Sequence, residues 1–191
     1  PRIAFTDVDM GAYEFQSEKQ SFWKGVNFHW NDPQNWCGNT VPTAGTNVLI
    51  PNTATIFPTI EDAREVNKIK LESGTSLTLT SAGQLTINNT YSNSGSNITN
   101  NGTWIMAGSA ASQTFPGTAA TVGAMNNLEI KNASGIAFDK SFSITGTLMP
   151  TTGNINVNNN IAVALKSSAT ATASVAAIQP AASISYTGSG S

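Results

Sequence analysis

The sequence predicts an all-β fold, a coiled β-solenoid, with a β-sandwich as the alternative. Three observations carry this reading. Within residues 73–106 a glycine stands one or two residues before each short alternating run: Gly74 before 76–80, Gly83 before 84–88, Gly95 before 97–99 and Gly102 before 103–106. Glycine reaches the positive φ that a sharp corner needs. Inside the runs Leu or Ile alternates with Thr, Ser or Asn, which sends apolar and polar side chains to opposite faces of a strand. The runs also recur, at intervals of about eight to twelve residues. A Greek-key sandwich shares that interval, whereas three strands and their corners make a solenoid rung of roughly twenty residues. Asn and Gly in the corners, with small apolar residues in the strands, favour the solenoid.

The elements follow in order. Residues 1–16, PRIAFTDVDMGAYEFQ, form a block of their own, in which Ile3 alternates with Phe5, Val8 with Met10, and Gly11 breaks the strand. Residues 17–21 are a polar linker. Residues 22–60 hold Trp23, Trp30 and Trp36 among the turn signals Asn31-Asp32-Pro33 and Val41-Pro42-Thr43-Ala44-Gly45, and read as the start and cap of a module. A strand at 47–50 is stopped by Pro51, and Pro58 confines 56–60 to an edge or corner. Residues 61–66 predict a single helical turn. Residues 67–72, NKIKLE, predict a strand with one wet face. The solenoid body is expected over 61–191, with further strands at 128–131, 135–138, 141–144, 147–149, 154–157, 161–165, 174–178 and 183–186. Leu77, Leu79, Leu85, Ile87, Ile98 and Ile105 are expected to point into one continuous core. The opening on Pro1 and the closing Gly-Ser run suggest a piece of a longer chain, truncated within the body.

Composition narrows the function. Charged residues are 10% of the 191, against roughly 25% in typical soluble domains. The net charge is −2 and the nine Lys and Arg are scattered, so the chain lacks the basic footprint of a nucleic-acid binder. Cys37 is the single cysteine and has no internal disulfide partner. Residues 161–165, the longest aliphatic run of the second half, are far too short to cross a membrane.

The block Asp9-Met10-Gly11-Ala12-Tyr13-Glu14 resembles the closing motif of bacterial right-handed parallel β-helix domains, with Met10 in the aliphatic position. The stretch Phe22-Trp23-Lys24-Gly25, Trp30-Asn31-Asp32-Pro33-Gln34-Asn35-Trp36, Val41-Pro42-Thr43-Ala44-Gly45 and Val48-Leu49-Ile50-Pro51 resembles a module start of very large surface and secreted proteins of Bacteroidota. These include adhesins of gliding bacteria exported by the type 9 secretion route. The resemblance implies a boundary, with 1–16 finishing one β-helix and 22–191 beginning the next. It implies an extracellular stalk or adhesin, whose partners are neighbouring domains of the same chain and surface glycans. It carries over no catalytic residues. Cys37 stands where that family has a small hydroxyl residue.

The residues that bear chemistry are few. His29 is the only histidine. A catalytic triad built on it would use Asp32 as orienter, but no Gly-x-Ser-x-Gly elbow accompanies it. Asp7 and Asp9, with Glu14 nearby, are the nearest thing to the paired carboxylates of a polysaccharide-cleaving enzyme. They read instead as flanking the end of a coil, and the expectation is no enzyme. One His and one Cys are too few for a zinc site; calcium would use oxygen donors among Asp7, Asp9, Asn31, Asp32 and Asn35, and Asx-turn hydrogen bonding is the simpler role for these side chains. Trp23, Trp30 and Trp36 read as a lid over the first open coil. A glycan-stacking platform at the same three residues is the alternative. The Asn-x-Ser/Thr triplets at Asn88, Asn97, Asn101 and Asn132 are expected by chance in so Asn-rich a chain.

Overall fold

The computed structural model describes residues 19–111, 113–117 and 120–187. They form a right-handed parallel β-helix of about six coils. In chain order the strands are β1 (Lys19–Phe22), β2 (Thr46–Ile50), β3 (Thr59–Ile60), β4 (Ala63–Val66), β5 (Lys68–Leu71), β6 (Ser76–Leu79), β7 (Gln84–Ile87), β8 (Tyr91–Asn93) and β9 (Asn97–Gly108). The second half adds β10 (Gln113–Phe115), β11 (Thr121–Asn132), β12 (Ile136–Phe138), β13 (Phe142–Ile144), β14 (Thr147–Asn158), β15 (Val163–Leu165), β16 (Ser174–Val175) and β17 (Ala182–Thr187). Residues 1–16, with Asp7, Asp9 and Glu14, lie outside the described residues.

Each coil gives one strand to each of three faces. The first face stacks β1, β2, β5 and β8 in one ladder, and then β10, β12, the end of β14 and β17 in a second; β8 and β10 are neighbours without a ladder between them. The second stacks β3, β6, the start of β9, the start of β11, β13 and β15. The third stacks β4, β7, the end of β9, the end of β11, the start of β14 and β16. Every one of these ladders is parallel. Asn47 pairs with Lys68, Ala63 with Gln84 and Ser76 with Asn97, so one coil is close to the roughly twenty residues expected.

The alternation seen in the sequence becomes columns in the core. Val48, Ile69 and Tyr91 stack in register on the first face. Leu85, Trp104, Leu128 and Leu148 stack on the third, beside Ile87, Met106 and Ile130. All are buried in one cluster. Each large side chain so placed contributes about 1.5–3 kcal/mol relative to exposure. An aromatic knot forms midway: the Phe115 ring packs 5.8 Å from Trp104 and 5.5 Å from Phe142, and the Tyr91 hydroxyl donates to Pro116 O at 2.6 Å.

Corners are built by asparagines that turn inward. The Asn93 side chain accepts from Gly95 N and Ser96 N, that of Asn100 from Gly102 N, and that of Asn132 from Ser134 N. Each is an Asx turn whose carboxamide satisfies backbone donors that a bend would otherwise orphan. All three side chains are buried.

Several expectations change. Residues 19–21, expected within a polar linker, belong to β1 and pair with β2. The runs 97–99 and 103–106 are one strand, β9. Residues 61–66 are not a helical turn: β4 occupies Ala63–Val66 and pairs with β7. Glu, Ala and Arg are good helix formers, but one helical turn is too short to stand alone, and extension puts Val66 into the core with no exposure. Ile105 is buried, at 9% exposure, but on the outer side of its strand and apart from the main core cluster. Alternation runs unbroken from Ile98 through Asn100, Gly102 and Trp104 to Met106, so Trp104 takes the core position and Ile105 lies outside between Thr86 and Glu129. The strands expected separately at 147–149 and 154–157 belong to one bent strand, β14. The strand expected over 174–178 is only Ser174–Val175.

Candidate functional site: the tryptophan lid and the outer faces

At its first coil the helix would expose a core and unpaired backbone, and the segment between β1 and β2 is folded over that end. Trp23 N donates to Leu49 O at 2.9 Å and continues the β1–β2 ladder by one residue. The chain then crosses the end of the coil. It returns through an antiparallel bridge between Trp23 and Trp36 and a parallel bridge between His29 and Thr59. The ring of Trp36 packs edge-on against Trp23 at 5.0 Å and Trp30 at 4.7 Å. Their exposures are 1% for Trp23, 1% for Trp30 and none for Trp36. Two indoles are anchored: Trp23 Nε1 donates to Ile56 O and Trp36 Nε1 to Trp30 O, both at 2.7 Å. Trp30 Nε1 is buried without a partner. The rings therefore offer no exposed face for a pyranose, and stacking a glycan on them would require the lid to open.

A polar clasp holds the lid. Asp32 Oδ2 accepts from Asn27 Nδ2 at 2.6 Å, and Asp32 Oδ1 accepts from Gln34 N at 2.9 Å. Asp32 thereby caps the short 3₁₀ turn Pro33–Asn35, with Pro33 at its first position. Asn35, fully buried, donates to Asn27 Oδ1 and His29 O and accepts from Asn27 N, each at 2.8 Å. The hydrogen bond from Asn27, then that from Gln34 N, holds the Asp32 carboxyl below its ordinary value. Gly25, at φ +71°, makes the clasp possible: a Cβ there would sit 2.7 Å from Ile56 O.

The sequence had named Trp23, Trp30, Trp36, Asp32 and Asn35, and the lid brings all five together. Asn27 was missed, its spacing from Asp32 and Asn35 being the available signal, and Gly25 was quoted only as part of the module-start motif. As a calcium ligand Asp32 is poorly placed, because both its oxygens already accept N–H groups. Among the described residues, no group of three or more His, Cys, Asp or Glu is arranged to hold a metal. His29 takes Glu61 as its carboxylate partner, Nδ1 to Oε2 at 2.7 Å, in place of the Asp32 expected of a triad. That pair is exposed, with the ring leaning on Phe28 at 4.1 Å. Cys37 is exposed and free.

The outer faces carry shallow hollows. One of about 420 Å³ on the first face is lined by Gln20, Asn47, Leu49, Lys68, Lys70 and Ser92. Another of about 320 Å³ on the third face includes Glu65, Thr86, Ile105, Glu129 and Lys131. Glu65 and Glu129 share one outward column, since Glu65 pairs with Thr86, Thr86 with Ile105, and Ile105 with Glu129. Three strand spacings separate them by about 14 Å. Paired carboxylates of glycosidases stand roughly 5–9.5 Å apart. Each is also tied to a neighbour: Glu65 accepts from Asn88 Nδ2 at 2.7 Å, Glu129 from Thr151 Oγ1 at 2.9 Å.

Residues 22–114 match the family model of a domain of unknown function, DUF8693. The match opens at Phe22, on the threshold of the lid, and ends within β10. Neither the curated proteins nor the solved structures include a match to the chain.

Proposed function

We propose that the chain is a non-enzymatic structural module of a large bacterial cell-surface protein, a stiff extracellular spacer in adhesion or gliding. The observation that supports this reading best is the unbroken run of apolar columns, such as Leu85–Trp104–Leu128–Leu148, beneath outer faces of neutral amides and hydroxyls. Each coil contacts only its neighbours, and bending the stack would stretch the parallel ladders on its outer side. About six coils at a strand spacing of roughly 4.8 Å rise close to 30 Å. Such a module spans distance by repetition beside neighbouring domains, and its lateral faces are where surface glycans would be met. The lid fits the same role, since it lets a new rod start wherever its sequence occurs. The test is mechanical. Pulled end to end in a single-molecule force experiment, the chain should resist as one unit and then release in steps of whole coils. Smooth extension at low force would remove the spacer reading.

A further inference from the structure

Between complete coils, every step but one is closed by parallel ladders on all three faces. The exception is the step from the coil of β8 and β9 to the coil of β10 and β11. On the first face no ladder joins the described residues of β8 to those of β10. On the second, Asn97 pairs with Thr121 and Ile98 with Val122, and the register then slips twice before Asn127. The third face alone runs unbroken, from Thr103 paired with Asn127 through to Gly108 paired with Asn132. Side chains lace its leading corner: Asn100 Nδ2 donates to Asn127 O at 3.0 Å, and Asn126 Nδ2 to Asn101 O at 2.8 Å. What bridges the first face is different in kind. The Tyr91 ring packs 5.8 Å from Phe115, and its hydroxyl, which donates to Pro116 O, accepts from Asn93 Nδ2 at 2.9 Å. Apolar contact is non-directional. It tolerates a change of tilt that would misalign a hydrogen-bonded ladder.

We propose that this step is a hinge built into the rod. Its axis runs along the β9–β11 ladder of the third face, across the rod, where the backbone bonds hold. The first face is the side that opens: β8 and β10 part, and the bond from Tyr91 to Pro116 breaks. The rod is then two stiff segments, one from the lid to β9 and one from β10 onward. Hinges absorb their motion at a few positions between rigid bodies, and local opening follows the places with fewest backbone bonds to lose. Here one step loses no ladder on the first face, little on the second and none on the third. The hinge follows from the pattern of ladders and goes beyond the spacer reading, since a rod with any role would bend at this step.

The test uses the whole 191-residue chain with Cys37→Ser, which removes the exposed thiol. Two pairs of spin labels straddle the step, all at exposed positions. Lys70→Cys with Asn154→Cys reads the first face, and Glu65→Cys with Lys131→Cys reads the third. Pulsed electron resonance should give a broad distance distribution for the first pair and a narrow one for the second. A staple then closes the hinge. Ser92→Cys with Thr114→Cys, mid-strand on the outer sides of β8 and β10, should crosslink under mild oxidation. Added to the first-face pair after labelling at a separately protected stage, it should narrow that distribution to the width of the third, and reduction should restore it. Tyr91→Phe keeps the ring and removes the hydroxyl. It should speed amide hydrogen exchange in β8 and β10 about fivefold or more, and leave residues 127–132 unchanged. Three results overturn the proposal: first-face distances as narrow as the third-face ones, a staple that leaves them broad, or a Tyr91→Phe exchange that rises equally at 127–132.

Discussion

Gly108 sits directly over the carbonyl of Asn88, so close that a Cβ at position 108 would lie inside the van der Waals envelope of that oxygen. Gly153 has the same relation to the carbonyl of Asn132. Both glycines have positive φ, +88° and +85°, and both stand at the corner where the third face gives way to the first face of the next coil. Gly108→Ala and Gly153→Ala should each cost about 2 kcal/mol or more, from left-handed strain plus the clash. Thermal melts check this; wild-type midpoints for both would mean that the corner packing is wrong.

A pair of substitutions tests the register of the core. Leu79→Asp places an unpaired carboxylate in the interior and should cost about 3 kcal/mol or more. Ile105→Thr, on the outer side of the strand between Thr86 and Glu129, should cost clearly less, about 1–2 kcal/mol. Denaturant midpoints give the comparison. A reversed order would place Ile105 rather than Trp104 in the core.

The lid makes a spectroscopic prediction. Trp23, Trp30 and Trp36 should emit in the blue and resist quenching by acrylamide, resolved by single Trp→Phe variants. Trp36→Ala should cost about 3–5 kcal/mol, because its ring touches both of the others. Red-shifted, freely quenched emission would reopen the case for a glycan platform.

Acid should loosen the lid through Asp32. Its carboxyl is held below the ordinary 3.8 in the fold, chiefly by Asn27. A group with a depressed folded pKa contributes stability in full above its unfolded value, and that stability is lost as pH falls through the folded one. The loss therefore begins below about pH 4. Asp32→Asn should flatten this dependence. Amide shifts of Asn27 and Gln34, followed by NMR on acidification, report it directly; an unchanged titration in the variant would assign the acid response elsewhere.

Polysaccharide cleavage is the remaining enzymatic possibility. Pectin, alginate, chitin and glycosaminoglycans, with and without calcium, should all survive incubation with the purified chain. Turnover lost in Asp7→Asn or Asp9→Asn would make the chain an enzyme.

Much of this fold was legible because its strongest signal is local. Alternation of period two around glycine corners placed most strands, and Leu77, Leu79, Leu85, Ile87 and Ile98 fell inside as expected. The failures came where local preference and register disagree. Ile105 looked like core by type, but its parity with Trp104 and Met106 decides its face. Residues 61–66 looked helical by propensity, but the ladder to β7 outweighs it. The buried carboxamides of Asn93, Asn100 and Asn132 were hidden by their polarity. Asparagine two residues before the N–H it caps was their only mark. Of the lid, the sequence named the aromatic parts but not the clasp of Asn27 that joins them.

The scarcity of charge on this surface reaches beyond solubility. Ion pairs such as His29–Glu61, Asp62–Arg64 and Lys70–Glu72 are surface contacts near the lidded end, and exposed pairs contribute little. What holds the coils is apolar contact and neutral hydrogen bonding, neither of which a Debye atmosphere screens. The stability of the stacked coils should therefore respond little to charge screening. Between dilute buffer and physiological salt, the rod's melting point should barely move.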